Sequence, residues 1–137
     1  MSYLAFVRIV VTVMYSYRDM QLWKTSMQLY VDLYRKTQEF PKFEQSELAA
    51  HLRKTALSIP SNISEGAGRK TTKDFLRFLD IANGSLSELE TQLEAAHLLG
   101  YILDYDIYLK QVSHLRSMIA GLIRSLCSKL EQQNDNK

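Results

Sequence analysis

The sequence predicts an all-α protein, an antiparallel up-down-up-down four-helix bundle. Apolar residues recur at alternating steps of three and four along four long segments, which is typical of helices that bury one face. Only 5 glycines and 2 prolines occur in 137 residues, too few for a fold built from many strands and turns. The joints between the four segments are short, which places consecutive helices antiparallel.

The N-terminal residues 1–16 lie outside the helical pattern, and we expect them to precede a single bundle domain over residues 17–131. Residues 3–15 are apolar but too few to span a bilayer, and they lack the cleavage site of a signal peptide. Met14 directly precedes the helical pattern, which indicates a translation start there. If the earlier residues are translated, their valine and isoleucine content favours an extended segment, with a short interfacial anchor as the alternative.

The first helix is predicted over residues 19–38, and the second over residues 45–67. The apolar stripe of the first consists of Trp23, Met27, Tyr30 and Tyr34, with Leu22, Leu29 and Leu33 beside it. Pro41 separates the two helices because proline cannot donate to the helical hydrogen-bond ladder. The face of the second consists of Leu48, Leu52, Ala56, Ile59 and Ile63. This spacing continues past Pro60, so we expect a kink there rather than a helix end.

The third helix is predicted over residues 72–99, and the fourth over residues 104–130. The third has a heptad-like seam of Phe75, Leu79, Ala82, Leu86, Leu89, Leu93 and Ala96. Gly84 costs this helix about 1 kcal/mol relative to alanine, and a close helix contact would explain it. Gly100 is predicted to end the helix. The fourth has the seam Tyr108, Val112, Leu115, Ile119, Leu122 and Leu126, and residues 132–137 are predicted to be a disordered tail.

The only cysteine, Cys127, excludes a disulfide framework within the chain, so a reducing cytoplasm fits. Cys127 falls in the apolar pattern of the fourth helix, which predicts a buried, inert thiol. The net charge of +2 is too small to indicate nucleic-acid binding. Any such function must therefore follow from the distribution of the charges.

The joint between the second and third helices is the main candidate for a functional site. Gly66 and Gly68 are predicted to end the second helix in the left-handed conformation. Thr71 or Thr72 is predicted to cap the third helix, with Asp74 as an acid in its first turn. The joint is not a P-loop, because the G-x-x-x-x-G-K-[S/T] spacing is absent and no strand precedes it.

Basic residues concentrate around this joint. Residues 51–77 carry six basic and two acidic side chains, whereas residues 78–106 carry six acidic ones and no lysine or arginine. The third helix is therefore basic at the positive end of its dipole, where a phosphate would be stabilised. The candidate ligands are Arg53, Lys54, Arg69, Lys70, Lys73 and Arg77, with Arg116 and Arg124 of the fourth helix as weaker candidates. The alternatives are a solvated joint with locally paired charges and a contact with an acidic surface of another subunit.

No residue pattern typical of an enzyme is present. Glu94 and His97 form an E-x-x-H pair, the spacing that di-iron bundles use, but a second such pair and two further acids are missing. His51 and His114 are isolated, and no nucleophile–base pair occurs. We therefore expect no catalytic site, no metal and no cofactor.

Two motifs carry a resemblance to a known family. They are S-I-P-S-N-I-S-E-G over residues 58–66 and F-L-R-F-L-x-I-A-x-G-S-L-x-E-L-E over residues 75–90. With them, residues 17–130 resemble the bacterial 23S ribosomal RNA intervening-sequence proteins. The resemblance implies a small cytoplasmic four-helix bundle that assembles as a ring, a pentamer in known cases. It extends in fold to the accessory variability protein of diversity-generating retroelements, which partners a reverse transcriptase and binds nucleic acid.

The charge pattern and the resemblance together favour one function. We expect a non-enzymatic, ring-forming homo-oligomer that binds nucleic acid through backbone phosphates, with structured RNA as the first candidate and DNA as the alternative. No base-reading module is visible, so sequence specificity is predicted to be weak. The alternative is a protein-interaction scaffold or accessory subunit, in which the basic joint forms a head-to-tail subunit contact. No membrane partner is expected.

Overall fold

The computed structural model describes residues 2, 3 and 16–136 and contains four long helices. They are α1 (Gln21–Thr37), α2 (Leu48–Ala67), α3 (Thr72–Leu98) and α4 (Tyr105–Asp135). Short 3-10 turns occur at Tyr17–Asp19 and Lys42–Glu44. Consecutive helices pack side by side, and α4 also packs against α1. The predicted four-helix bundle is therefore confirmed.

The core follows the predicted faces of α2, α3 and α4. Its fully buried members on α3 are Leu79, Ala82, Leu86, Leu89, Leu93 and Ala96. Those on α2 are Leu52, Ala56, Ile59 and Ile63, and α4 contributes Val112, Leu115 and Ile119. Burying each of the larger side chains stabilises the fold by roughly 1.5–3 kcal/mol. These three helices pack through the apolar faces that the sequence pattern predicts.

The buried stripe of α1 differs from the prediction by about one residue. It runs along Leu22, Ser26, Leu29, Leu33 and Thr37, whereas Trp23, Met27 and Tyr30 are half-buried and Tyr34 is exposed. Two polar side chains tolerate burial here because their hydroxyls donate to backbone carbonyls one turn earlier. Ser26 Oγ donates to the Trp23 carbonyl over 2.8 Å, and Thr37 Oγ1 to the Leu33 carbonyl over 2.8 Å.

The helix ends agree with most of the sequence predictions. α2 continues through Pro60, as predicted. Gly100 has a φ of +80°, the left-handed conformation predicted after α3. α4 ends at Asp135, beyond the predicted end at residue 130, because the polar tail continues the helix. Of the predicted extension, only Ser2, Tyr3 and Ser16 fall within the described residues, so the translation-start and anchor hypotheses lie outside them.

Two predictions about single residues are wrong. A Cβ built at Gly84 would have no neighbour within 4 Å among the described residues, so no close contact with another of the described helices explains this glycine. Cys127 is exposed rather than buried. Ile119 is the last fully buried residue of α4. Beyond it only one face of the helix is covered, with Leu126 packed against the core, and Cys127 lies on the open side.

Candidate nucleic-acid interface

The joint between α2 and α3 is tight because Gly66, in the last turn of α2, contacts α3 directly. Gly66 is buried, and a Cβ there would lie 2.7 Å from Phe78 Cβ and 2.8 Å from Phe75 Cδ2. Both distances are shorter than any normal van der Waals contact. Only a residue without a side chain therefore fits, and the two helices approach closely.

The predicted left-handed conformation of Gly66 and Gly68 is wrong. Gly66 lies within α2, and Gly68 ends the helix at a φ of −85°. Gly100 is the only residue with positive φ in the part of the chain that the structure describes. The joint thus requires Gly66 for close packing rather than for an unusual backbone angle, a requirement that depends on α3 and cannot be read from α2 alone.

Thr71 begins α3 as predicted. Its Oγ1 accepts a hydrogen bond from the Asp74 backbone N–H over 3.1 Å, which satisfies one of the free donors of the first turn. The Asp74 side chain lies in that turn, where the helix dipole favours a negative charge. The threonine followed by an acid three residues later was therefore enough to predict, to within one residue, where α3 begins.

Two arginines of the joint lie on one aromatic ring. The Arg69 guanidinium carbon is 4.8 Å from the centroid of Phe78, and that of Arg77 is 4.4 Å away. Phe78 itself is buried, so its ring is a fixed platform for both planes. Sequence reasoning gave Phe78 no role in this site, although its place directly after Arg77 was a usable signal.

Each of these arginines also has a local acidic partner. Arg69 Nη2 is 2.8 Å from Glu65 Oε1, and Arg77 Nε is 3.6 Å from Asp74 Oδ1. All four side chains are substantially exposed to solvent, so each pair contributes only about 0–1 kcal/mol. The two carboxylates therefore offset two of the positive charges at the joint but add little to its stability.

Lys70 and Lys73 complete the cluster. Both are exposed, and neither forms an ion pair with any residue that the structure describes. Lys73 and Arg77 line a shallow depression with Thr71, Asp74, Leu76 and Asp80. The "basic joint", defined as Arg69, Lys70, Lys73 and Arg77, therefore presents four cations at one end of the bundle.

Arg124 lies at the same end, on α4. Arg116 contacts the middle of α3, and Arg124 is about two helical turns further along the antiparallel α4. This register places it beside the start of α3. Arg124 is exposed and has no ion-pair partner among the described residues.

Arg53 and Lys54 lie elsewhere. Arg53 lies about 21 Å along the axis of α2 from the end of this helix at Ala67, where the basic joint begins. Its Nε donates to Thr37 Oγ1 over 2.7 Å, and its Nη2 to Gln45 Oε1 over 2.9 Å. The guanidinium also lies 4.4 Å from the centroid of the Tyr34 ring. Arg53 thus ties the α1–α2 joint to α2, while Lys54 beside it is exposed.

Arg116 is also engaged within the bundle. Its Nη2 is 3.3 Å from Glu90 Oε1, and its Nη1 donates to Asn83 Oδ1 over 3.3 Å and to Ser87 Oγ over 3.4 Å. These contacts join α4 to α3. Of the eight candidate ligands, the structure brings together Arg69, Lys70, Lys73 and Arg77, places Arg124 at a similar level along the bundle, and separates Arg53, Lys54 and Arg116.

The E-x-x-H pair is occupied by contacts within the chain. The Tyr105 hydroxyl donates to Glu94 Oε2, which raises the tyrosine pKa to about 12. His97 stacks on the Tyr105 ring, with centroids 4.5 Å apart, and its Nδ1 lies 3.1 Å from the Ile102 carbonyl oxygen. No cluster of three or more potential metal ligands occurs among the described residues.

Comparison with known proteins identifies one family. The sequence model described as 23S rRNA-intervening sequence protein matches residues 18–121, which include α1, α2, α3 and more than half of α4. No curated protein matches the chain. Among the described helices, none is long and apolar enough to cross a membrane.

Proposed function

Because the chain belongs to the 23S rRNA-intervening sequence protein family, we propose that it binds the phosphate backbone of RNA through the basic joint. The observation that carries this proposal is the pair of exposed, unpaired lysines beside two arginines held on the Phe78 ring. Lysine contacts a phosphate as a point charge, whereas arginine can contact two phosphate oxygens at once. No catalytic role is part of the proposal.

The chemistry of the basic joint favours backbone contacts over base reading. Two of its cations line a shallow depression, and the aromatic ring that carries Arg69 and Arg77, that of Phe78, is buried. Base stacking requires an exposed ring, and base-specific hydrogen bonding requires an element that enters a groove. RNA should therefore bind with weak sequence specificity and with a strong dependence on salt.

The proposal includes a cytoplasmic homo-oligomer, in which each copy contributes one basic joint. The family resemblance implies a ring, a pentamer in known cases. Several joints on one particle would bind one RNA more tightly than a single joint, because each contact after the first is intramolecular. A ring thus compensates for the small number of cations on each subunit.

The proposal is tested with an Arg69/Lys70/Lys73→Ala variant and a structured RNA duplex with a single-stranded loop. We expect the variant to lose at least tenfold in affinity at low salt while keeping its molecular mass. The logarithm of the wild-type affinity should fall with the logarithm of salt concentration at a slope of about −3 for each basic joint that contacts the RNA, the value for four phosphate contacts. Fluorescence anisotropy across a salt series measures both.

The matched control is Arg35/Lys42/Lys110→Ala, which removes the same charge from exposed positions away from the basic joint. It should bind RNA nearly as well as the wild type. Equal losses in both variants would mean that only net charge matters, which contradicts a site at the joint. Salt-insensitive binding would contradict phosphate recognition.

A scaffold function is the second candidate, favoured by the segregation of charge along the chain. A basic joint and an acid-rich opposite end are complementary, as a head-to-tail contact between copies requires. In that case the Arg69/Lys70/Lys73→Ala variant would fall to monomers in mass measurements, and the wild type would bind no RNA. The same pair of variants therefore separates the two functions.

A further inference from the structure

The end of the bundle opposite the basic joint exposes an unusual amount of apolar surface. Five large apolar side chains lie at the end of α3, in the two connections and in the first turn of α4: Phe43, Leu98, Leu99, Leu103 and Ile107. Leu103 is 89% exposed, Leu98 76% and Phe43 70%. These residues define the "apolar end". A cluster of this kind indicates an interaction surface when it is continuous and rigid.

Three contacts make the two connections one rigid surface. The Phe40 and Tyr101 rings pack with centroids 5.2 Å apart, and both rings are largely removed from solvent. Lys36 Nζ forms an ion pair with Asp104 Oδ1 over 2.9 Å. Burial, and after it the neighbouring Glu44 carboxylate, raises the pKa of the Tyr101 hydroxyl. The exposed side chains are therefore presented by a fixed scaffold and do not lie on a loose loop.

The apolar end has an acidic rim. Residues 39–47 and 94–107 carry six acids, Glu39, Glu44, Glu47, Glu94, Asp104 and Asp106, against one lysine, Lys42. Lys36 of α1 pairs with Glu39 over 3.1 Å and with Asp104 over 2.9 Å, so the rim is acidic mainly through the other four acids. A binding surface with an apolar centre and a charged rim is selective for partners of the opposite charge. The occupant must therefore combine apolar side chains with basic ones.

We propose that the apolar end docks an amphipathic helix of a partner protein whose polar face is basic. Such a helix places leucine-like side chains on one face to meet Leu98, Leu99 and Leu103, while its lysines and arginines reach the acidic rim. The inference rests on exposure and charge at this end alone, and it does not depend on RNA binding at the basic joint.

A second copy of the chain fits this surface less well. Two apolar ends placed together would oppose their acidic rims, which is unfavourable. The basic joint of a second copy offers the right charge, but its helix ends expose no large apolar side chain among the described residues. Leu98 and Leu103 would then face cations. A lipid surface is disfavoured because anionic headgroups repel the rim.

The test uses two model peptides of about 18 residues. One has leucine at helical i, i+3, i+4 and i+7 positions and lysine elsewhere, and the other has glutamate in place of lysine. We expect the lysine peptide to bind the full chain and the glutamate peptide not to bind, as measured by fluorescence anisotropy. Leu98→Gln/Leu103→Gln should weaken binding of the lysine peptide at least tenfold.

Two further variants make the test specific. Leu57→Gln/Ile81→Gln removes two exposed apolar side chains from α2 and α3, away from this surface, and should leave binding unchanged. Glu47→Gln/Asp106→Asn should weaken binding about threefold and reduce its salt dependence, because it removes two rim charges. The Arg69/Lys70/Lys73→Ala variant should bind the peptide normally, which separates this site from the proposed RNA site.

Three results would overturn the proposal. The Leu57/Ile81 variant losing as much affinity as the Leu98/Leu103 variant would mean non-specific adsorption of the peptide. Binding of the glutamate peptide as tightly as the lysine peptide would show that the acidic rim does not select the partner. A fall in molecular mass of the Leu98→Gln/Leu103→Gln variant, without a change in peptide affinity, would assign the surface to a second copy.

Discussion

The helices are connected differently at the two ends of this bundle. At the basic joint, α2 and α3 are joined by only a few residues, and Gly66 lets the helices touch. The guanidinium groups of Arg69 and Arg77 there pack on the buried ring of Phe78. At the apolar end, longer connections fold onto one another through Phe40 and Tyr101, and leucines remain outside.

This difference separates the two interaction chemistries that the molecule offers. A tight joint with little exposed apolar surface suits a strongly hydrated, anionic partner such as a nucleic-acid backbone. A rigid apolar surface with an acidic rim suits a partner that brings its own apolar face. Variants that act on one end should therefore leave the function of the other end unchanged.

The largest expected effect is at the apolar end. Phe40→Ala removes a ring that is only 4% exposed and that joins the two connections, so we expect the free energy of unfolding to fall by about 3–4 kcal/mol. Chemical denaturation measures this value. Phe43→Ala, in the same connection but 70% exposed, should change it by less than about 0.5 kcal/mol. Similar losses in both variants would show that the connection does not depend on buried packing.

The next effect is at the basic joint. Gly66→Ala should lower the free energy of unfolding by about 2 kcal/mol, because its Cβ would overlap Phe78 Cβ and Phe75. Gly84→Ala is the control on α3, where a Cβ meets nothing within 4 Å, and it should stabilise the protein by about 0.5–1 kcal/mol. Opposite signs for the same substitution would confirm the tight joint, and stabilisation by both would contradict it.

A smaller effect should distinguish Arg53 from Arg69. Arg53→Gln is expected to cost about 1.5 kcal/mol of stability, because it breaks the bonds to Thr37 and Gln45, and to leave RNA affinity nearly unchanged. Arg69→Gln should lower RNA affinity and leave the free energy of unfolding nearly unchanged, since the ion pair of Arg69 lies at the surface. Paired denaturation and RNA-binding measurements check both. If the Arg53 variant lost RNA affinity without losing stability, Arg53 would belong to the RNA-binding site.

The smallest effect concerns pH at the apolar end. The hydrogen bond from Lys36 holds the pKa of Asp104 below its ordinary value of 3.8, and the same bond raises the pKa of Lys36 above 10.5. The pair therefore stabilises the fold at neutral pH. Its contribution is lost in acid, as Asp104 is protonated, and again in strong base, as Lys36 loses its proton.

The measurement is Asp104→Asn, which keeps a residue suited to the start of α4. We expect a loss of about 0.5 kcal/mol at pH 7, because both side chains are partly exposed, and no loss near pH 2. Unfolding curves at the two pH values test this. A difference that persisted at pH 2 would mean that Asp104 acts through something other than its charge.

The sequence by itself determined the number of helices, the buried faces of α2, α3 and α4, the helix end at Gly100 and, to within one residue, the cap at Thr71. These follow from the 3.6-residue period of the helix and from backbone chemistry within a few residues, which are local properties. It also located the cluster Arg69, Lys70, Lys73 and Arg77, because residues on either side of a short joint are necessarily close in space. Whether this cluster binds RNA stays a prediction.

Only the tertiary structure decided what depends on residues distant in the sequence. Gly66 is indispensable because Phe75 and Phe78 arrive from the next helix, not because of its own backbone angle. Arg53 left the candidate cluster because Thr37 and Gln45 are its neighbours in space. Hydrophobic periodicity predicts that a residue can be buried, but burial requires a neighbour to cover it. Cys127, Leu98 and Leu103 therefore stay exposed although they lie in or beside apolar patterns.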